Sequence, residues 1–368
     1  MWCFYQLLIE KIGEFVNYIN TNSYLCTTRT ENIISIMEQT NPYIKQFPEL
    51  FKGKKILYVH GFASSGQSGT VTRIREVFPN ATVIAPDLPI HPQEAMDLLR
   101  QTCDAEKPDL VVGTSMGGMY TEMLYGFDRI LVNPALRMGD TMKDHGMMGA
   151  QHFQNPRQDG VQDFIVTKAL VKEYKEMTEQ CFSGVNPEER GRVWGLFGDE
   201  DTTVDTYDLF RSQYATAIRF HGEHRMNDKS FMHSVVPVMR WIDDRQERRQ
   251  RPIVYIGMET LSDIYEAPMS SVQKTVRWLI EHYQVFFVAA APVDMVYYAD
   301  VNQWLYEYIN VPAWNHTIFI LRRDLLYGDY FIGDEEGWSG MATHIQFGSD
   351  TFKTWDDIAD YFSRLGGQ

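Results

Sequence analysis

Residues Gly113-Thr114-Ser115-Met116-Gly117 form a G-x-S-x-G pentapeptide. A serine in this pattern can attack an acyl carbon when it sits on a sharp strand-to-helix turn that lifts its hydroxyl above a sheet. The glycines two residues to either side answer to the crowding of the backbone at such a turn. Five residues alone arise by chance, and a glycine-rich turn without chemistry reads the same way. The context here is specific, because the apolar run Asp109–Gly113 leads directly into the serine and a helical stretch from Met116 to about Leu124 follows it. Ser115 is therefore the candidate nucleophile.

Such a serine needs an acid, a base and an oxyanion hole, and on this kind of elbow the chain order is serine, acid, histidine. Val193–Val204 reads V-W-G-L-F-G-D-E-D-T-T-V, an apolar strand ending in carboxylates. The spacing G-x-x-D-x-x-V singles out Asp201, with Asp199 as the alternative acid. Glu200 and Asp205 compete, and at least two of the four are ordinary solvated loop carboxylates. Three histidines are near. His221 reads as the end of a strand and His233 as part of a closing helix, Met232–Asp243. His224 lies in the loop between them and is the candidate base. In this scheme His224 takes the proton of Ser115, Asp201 holds the imidazole tautomer, and an acyl-enzyme forms and is hydrolysed. Two backbone N–H groups would hold the oxyanion: that of Met116, after the nucleophile, and that of Phe62, after the strand ending in His60-Gly61. His60 reads as structural, because the base comes last in the chain.

These side chains need a scaffold that brings loop ends together. Strands are expected at Lys55–His60, Ala81–Ala85, Asp109–Gly113, Arg129–Asn133 and Val193–Phe197. Helices are expected at about Thr70–Phe78, Pro92–Cys103 and Asp205–Tyr214. This alternation predicts a parallel α/β sheet. Residues 136–188 break the rhythm and read as a polar, helical segment containing Met138, Met142, Met147 and Met148. The charge run Asp243–Arg251 reads as a helix end entering a linker. The α/β rhythm then restarts, with strands at Pro252–Ile256, Val285–Ala290, Thr317–Leu321, Tyr330–Ile332 and His344–Phe347. Helices are expected near Ser271–Tyr283, Asp300–Ile309 and Trp355–Leu365. The expected organisation is an N-terminal helical extension over 1–50, a parallel-sheet α/β domain over 51–246 and a second Rossmann-like domain over 252–368.

Composition narrows the partners. The 368 residues are 44% hydrophobic with a net charge of -15, which argues against a nucleic-acid or anionic-membrane surface. A small anionic substrate in a local pocket remains compatible with that charge. The four cysteines are scattered and form no C-x-x-C pair, so a zinc ribbon or redox motif is not expected, and reduced thiols in a cytoplasmic protein are. No membrane span is expected. Met1–Asn20 is interrupted by Glu10, Lys11 and Glu14 and reads as a helical stripe on Leu7, Leu8, Ile12, Phe15 and Val16 rather than as a signal peptide.

Several longer motifs carry a family likeness. H-G-F-A-S-S-G (His60–Gly66), P-D-L-P (Pro86–Pro89), G-T-S-M-G-G-M-Y (Gly113–Tyr120), N-P-A-L-R (Asn133–Arg137), G-D-E (Gly198–Glu200) and G-E-H (Gly222–His224) occur in this order. Together they resemble the small YqiA/YcfP-type α/β-hydrolase esterases over about residues 54–243. The resemblance implies an α/β-hydrolase domain over 51–246 with residues 136–188 as a helical cap over the active site, and an esterase or thioesterase acting on small acyl substrates, with no cofactor. In that family G-D-E is followed closely by an apolar pair. Asp201-Thr202-Thr203-Val204 intervenes here, which leaves Asp199 and Asp201 both open.

A second likeness covers residues 252–368. I-V-Y-I-G-M-E-T (Ile253–Thr260), V-A-A-A-P (Val288–Pro292) and G-D-Y-F-I-G-D-E-E (Gly328–Glu336) resemble the 5'(3')-deoxyribonucleotidase-like branch of the haloacid dehalogenase (HAD) superfamily. That family uses an aspartate nucleophile at the end of its first strand and a second aspartate two residues later. Gly257 and Glu259 stand at those positions, so no phospho-aspartate can form at 257. A residual magnesium or ligand site would fall on Glu259, Asp329 and Asp334, with Arg322 or Arg323 as the basic group. The resemblance therefore implies a degenerate HAD-like domain that binds or regulates. Two other readings are a two-domain sensor or scaffold without catalysis, and a nucleotide phosphatase working from the second domain.

Overall fold

The computed structural model describes residues 43–291 and 295–366. The expected stripe at Leu7–Val16 lies outside the described residues. Gln46–Gln368 forms one compact unit, and within it the chain builds two parallel sheets.

The first half runs β1 (Lys55–Val59), α1 (Gly69–Val77), β2 (Thr82–Ile84), α2 (Pro92–Glu106), β3 (Leu110–Thr114), α3 (Met116–Glu122) and β4 (Arg129–Val132). It continues through α4 (Met138–Asp144), β5 (Gly149–His152), β6 (Asp163–Val166), α5 (Lys168–Thr178), α6 (Pro187–Arg190), β7 (Val193–Gly198), α7 (Tyr207–Arg211), β8 (Ala217–Phe220) and α8 (Val236–Gln246). Six strands form an all-parallel sheet in the order β2-β1-β3-β4-β7-β8. Its central strands are buried almost end to end and mostly apolar, because helices cover both faces and leave no polar side. The chain enters this domain before residue 51: Phe47, Leu50 and Phe51 are buried, and the Phe47 N–H donates to the Val77 carbonyl at 2.7 Å.

Two local readings need correction. Residues 136–188 are only partly helical, because β5 and β6 pair as an antiparallel hairpin between α4 and α5. In β6, Phe164 and Val166 are buried and alternate with exposed Asp163 and Ile165, a period of two that makes a strand and not a helix. The Phe164 ring packs 5.4 Å from Phe62 and 4.6 Å from Phe153, which ties the hairpin to the loop after β1. The closing helix also starts irregularly, with a turn capped by Asn227 and a wide π turn at Phe231–Val235 ahead of α8. Pro237 has no N–H to return to residue 233, so the regular ladder cannot form there.

One buried ion pair stands out in this core. Arg129 is fully buried and bonds to the Glu189 carboxylate and the Glu122 carbonyl. Removing one member of such a pair strands the other charge away from water. Arg129→Ala is expected to cost about 3–5 kcal/mol, read as a lower urea midpoint at unchanged m-value; a midpoint within error of the parent would show that Glu189 finds another partner.

The second half contains β9 (Ile253–Gly257), α9 (Ser270–His282), β10 (Gln284–Ala289), α10 (Met295–Tyr308), β11 (Thr317–Phe319), β12 (Tyr330–Gly333), β13 (Thr343–Gln346) and α11 (Trp355–Leu365). Its five strands are all parallel in the order β11-β10-β9-β12-β13. The run Asp243–Arg251 is the last turn of α8 plus a short connection, and its charges other than Arg248 are paired among the described residues. Asp243 is buried and accepts from Lys54 and the Phe51 N–H, while Asp244 binds Arg249 and Arg251.

Each sheet reverses its strand order once, between β1 and β3 in the first and between β9 and β12 in the second. Open parallel sheets form a crevice at the carboxyl ends of the strands at such a point.

Candidate active site

Ser115 stands at the first reversal, between the end of β3 and α3, with φ 55° and ψ -121°. A left-handed φ is strained for serine, and the surrounding glycines make room for it. A Cβ at Gly113 would lie 2.1 Å from Thr121 Oγ1, and one at Gly117 would lie 2.0 Å from the Val59 carbonyl oxygen. Only glycine at both positions lets the elbow close against β1 and α3.

His224 comes from the loop after β8, and its Nε2 lies 3.0 Å from Ser115 Oγ. Its Nδ1 lies 2.8 Å from Asp201 Oδ2, in the loop after β7. The Asp201 side chain is almost buried at 3% exposure, and its Oδ1 accepts the N–H groups of Thr203 and Val204 at 2.7 and 2.9 Å. Asp199, the alternative acid, faces elsewhere. It binds His221 Nδ1 at 2.7 Å, the Gly222 N–H at 3.1 Å and the Tyr306 hydroxyl at 2.7 Å. Burial alone would raise its carboxyl, but the hydrogen bonds from Tyr306, Gly222 and His221 outweigh that and hold it below the usual range. His233 is bonded to Arg277 Nη1, away from Ser115.

Phe62 lines the cavity shared by Ser115 and His224, and Gly61 sits against Ser115, with room for a Cβ only 3.3 Å from the Ser115 Cβ. Among the described residues the N–H groups of Phe62 and Met116 have no hydrogen-bond acceptor, as donors awaiting an oxyanion require. His60 is buried and accepts the Leu88 N–H at Nε2 while its Nδ1 meets the Gly61 carbonyl oxygen. Burial lowers its pKa to about 4, so it stays neutral and holds the loop.

Sequence reasoning missed Asn133. At the end of β4, with φ 45°, its Oδ1 accepts the Gly198 N–H at 2.7 Å and its Nδ2 donates to the Glu223 and His224 carbonyls at 3.0 and 3.1 Å. One amide thus ties the acid loop to the base loop. The signal was the Asn-Pro pair closing a strand, since asparagine tolerates a left-handed backbone.

The cavity over Ser115 measures about 530 Å³, within the range of small-molecule pockets. Phe62, Met138 and Met147 give it apolar walls, and Gln154, Asn155 and Arg225 polar ones. Two of the four cap methionines therefore reach it, whereas Met142 is buried in the core and Met148 is exposed.

At the second reversal the expected trio of carboxylates is not assembled. Glu259 and Asp334 lie at the carboxyl ends of β9 and β12, together with Glu335. Asp329 precedes β12 and accepts the Ile253 N–H at the opposite end of the sheet, because parallel strands bring only like ends together. Carboxylate oxygens of Glu259, Asp334 and Glu335 lie within 4.8 Å of one another, but a guanidinium already bridges two of them. Arg323 holds Glu259 and Glu335, with Nη1 2.7 Å from Glu259 Oε1 and 2.7 Å from Glu335 Oε1, and Nη2 2.9 Å from Glu259 Oε2. A Cβ at Gly257 would lie 2.0 Å from Glu259 Oε1, so this carboxylate folds over the space an aspartate at 257 would fill. Of the two basic candidates, Arg323 takes the position and Arg322 pairs with Asp324. Millimolar magnesium is expected to leave the thermal midpoint unchanged, since a bound ion would raise it by mass action. A magnesium-dependent rise, or phosphate release lost on Asp334→Ala, would show that Arg323 gives way.

Comparison with known proteins places this geometry in context. The model of an uncharacterised protein family, UPF0227, matches residues 55–241. A putative 5'(3')-deoxyribonucleotidase of Staphylococcus epidermidis is 29% identical over 108 residues, covering 26% of this chain and 60% of that protein. The chain thus spans about three fifths of the length of that relative. A second putative 5'(3')-deoxyribonucleotidase, from Vibrio phage KVP40, is 25% identical over 162 residues, covering 35% of this chain and 95% of the relative. Among solved structures, Est1E from Butyrivibrio proteoclasticus aligns over 57% of this chain and 92% of its own, at 14% identity and TM-score 0.37. A thioesterase domain from the curacin biosynthetic pathway aligns over 54% and 92%, at 15% identity and TM-score 0.32. Among the described residues no helix is long and apolar enough to cross a membrane. With the chain from β1 into α8 matched as one stretch that holds Ser115, Asp201 and His224, the chain belongs to the UPF0227 family.

Proposed function

We propose that the first domain is a serine hydrolase that cleaves small carboxylic esters or thioesters through an acyl-enzyme on Ser115. The observation that carries this reading is the continuous link from Ser115 Oγ through the His224 ring to Asp201. In the first half-reaction Ser115 Oγ bonds to the acyl carbon as its proton passes to His224 Nε2. The negative charge on the carbonyl oxygen is met by the free N–H groups of Phe62 and Met116. The C–O or C–S bond then breaks and His224 returns the proton to the leaving group. Water repeats the sequence and frees the acid. Asp201 steadies the imidazolium at each stage, and its two backbone hydrogen bonds keep the carboxylate pointed at Nδ1. The mixed walls of the cavity suit a short acyl group with a polar leaving group. A fluorophosphonate probe is expected to label one serine per chain and to leave the Ser115→Ala protein unlabelled. Labelling that persists in that variant would refute the assignment. Wild type that labels is then tested on a panel of esters and thioesters.

The second domain fits a regulatory part in this reading. Tyr306 on α10 donates to Asp199, and its ring lies 4.4 Å from that of His221. Asp199 is two residues from Asp201, and His221 three from His224, so this contact braces both loops that deliver acid and base. Tyr306→Phe is expected to lower kcat by up to about tenfold, the scale of one charge-assisted hydrogen bond, with KM nearly unchanged. An unaltered kcat in a stably folded Tyr306→Phe protein would remove the second domain from the reaction.

A further inference from the structure

A second cleft, of about 470 Å³, lies between α8 with the connection after it and the α9, β10 and Pro312 segment of the second domain. Its walls carry five arginines, although the chain as a whole is strongly acidic. Three of these are neutralised: Arg245 by Asp128, Arg249 by Asp243 and Asp244, and Arg251 by Asp244. Two are not. Arg240 is only 5% exposed, yet its one hydrogen bond goes to the Ile280 carbonyl oxygen, its guanidinium rests over the Phe47 ring, and no carboxylate lies within ion-pair distance among the described residues. Arg248 is exposed and has no ion-pair partner among the described residues. Burying an unpaired guanidinium is costly. Desolvation lowers the Arg240 pKa to about 10, which nearby Glu281 and Asp244 offset only in part.

Two unmatched cations in one cleft call for a dianion. Guanidinium groups match phosphate oxygens through paired hydrogen bonds, and a phosphate monoester carries close to two charges on one head group at neutral pH. A dicarboxylate spreads the same charge over two groups. The rest of the cleft is suited to an organic body. Trp241 and His316 stack 5.2 Å apart, and Ile280 and Val285 add apolar surface. Clefts of this volume between domains are common ligand sites.

We propose that this cleft binds a small phosphate monoester, with the dianionic head group against Arg240 and Arg248 and the organic body against Trp241 and His316. The ligand touches α8 of the first domain and the second domain at once, so its occupancy stiffens their junction. The site is separate from Ser115 and from the Arg323 cluster.

Calorimetric titration of the full chain tests this with phenyl phosphate, inorganic phosphate and succinate. Phenyl phosphate is expected to bind one per chain, more tightly than inorganic phosphate or succinate, and to raise the thermal midpoint. Arg248→Ala, a surface change that leaves the fold intact, is expected to weaken it about tenfold or more, and Arg248→Glu to abolish it. Binding to Arg323→Ala and to Ser115→Ala should match wild type, which separates this cleft from the other two sites. Absence of saturable binding, binding that survives Arg248→Glu, binding lost in Arg323→Ala or Ser115→Ala, or a preference for succinate would each overturn the proposal.

Discussion

Ser115→Ala is expected to lower kcat for a simple activated ester such as p-nitrophenyl acetate by about 10⁴–10⁶-fold, because serine and histidine act as one unit and loss of either disables both. The substitution removes only Oγ. The left-handed backbone at 115 is held by the bonds of the elbow, including the Ser115 N–H to the Val132 carbonyl and the Ala135 N–H to the Ser115 carbonyl, so the fold should persist. A residual rate above that in water is expected from the Phe62 and Met116 donors alone. If kcat falls less than about a hundredfold, the ester is being cleaved elsewhere and the Ser115–His224 contact is not the catalytic one. Thermal unfolding of the variant, expected within error of wild type, separates lost chemistry from lost structure.

The second large effect distinguishes two acids that stand two residues apart. Asp201→Asn is expected to lower kcat by about 10⁴-fold, and Asp199→Asn by less than about tenfold. The reason lies in the second oxygen of Asp201. Thr203 and Val204 donate to Oδ1, so an asparagine there would keep its carbonyl on those donors and turn its NH₂ toward His224 Nδ1. Nδ1 would then have to accept, the ring proton would move to Nε2, and Nε2 could no longer take the proton of Ser115. Asp199 reaches the reaction only through the loop contacts with His221 and Tyr306. Equal losses in the two variants, or a larger loss for Asp199→Asn, would move the acid to position 199.

Much of this site is legible in the chain because local rules place it. The elbow at 113–117 sits between an apolar run and a helix, and that pattern has one three-dimensional meaning. The order of acid and base along the chain follows from the same kind of sheet. The second domain was legible for a similar reason: its strands are short apolar runs, and α11 ends at the residues the periodicity predicts, Trp355 and Leu365. Strand order in the chain carries further information. Asp329 precedes a strand and Asp334 follows it, so the two could not share one end of a parallel sheet. Glu335 stood beside Asp334 in the same motif. The alternation in Asp163–Val166 was also present, hidden by its shortness among polar neighbours.

What the sequence by itself determined is the type and order of the candidate groups, because strand, elbow and helix form from neighbours in the chain and from burial of continuous apolar runs. What only the tertiary structure decided is which of several equivalent groups meet. Asp201 rather than Asp199 reaches His224, since a difference of two loop residues changes the direction of a side chain without changing any local pattern. Asn133 ties one loop 65 residues away to another some 90 residues away, Tyr306 touches a loop more than 100 residues before it, and Arg323 joins carboxylates from two strand ends. Hydrogen bonds and ion pairs of this kind act over about 3 Å, and only packing brings such distant segments that close.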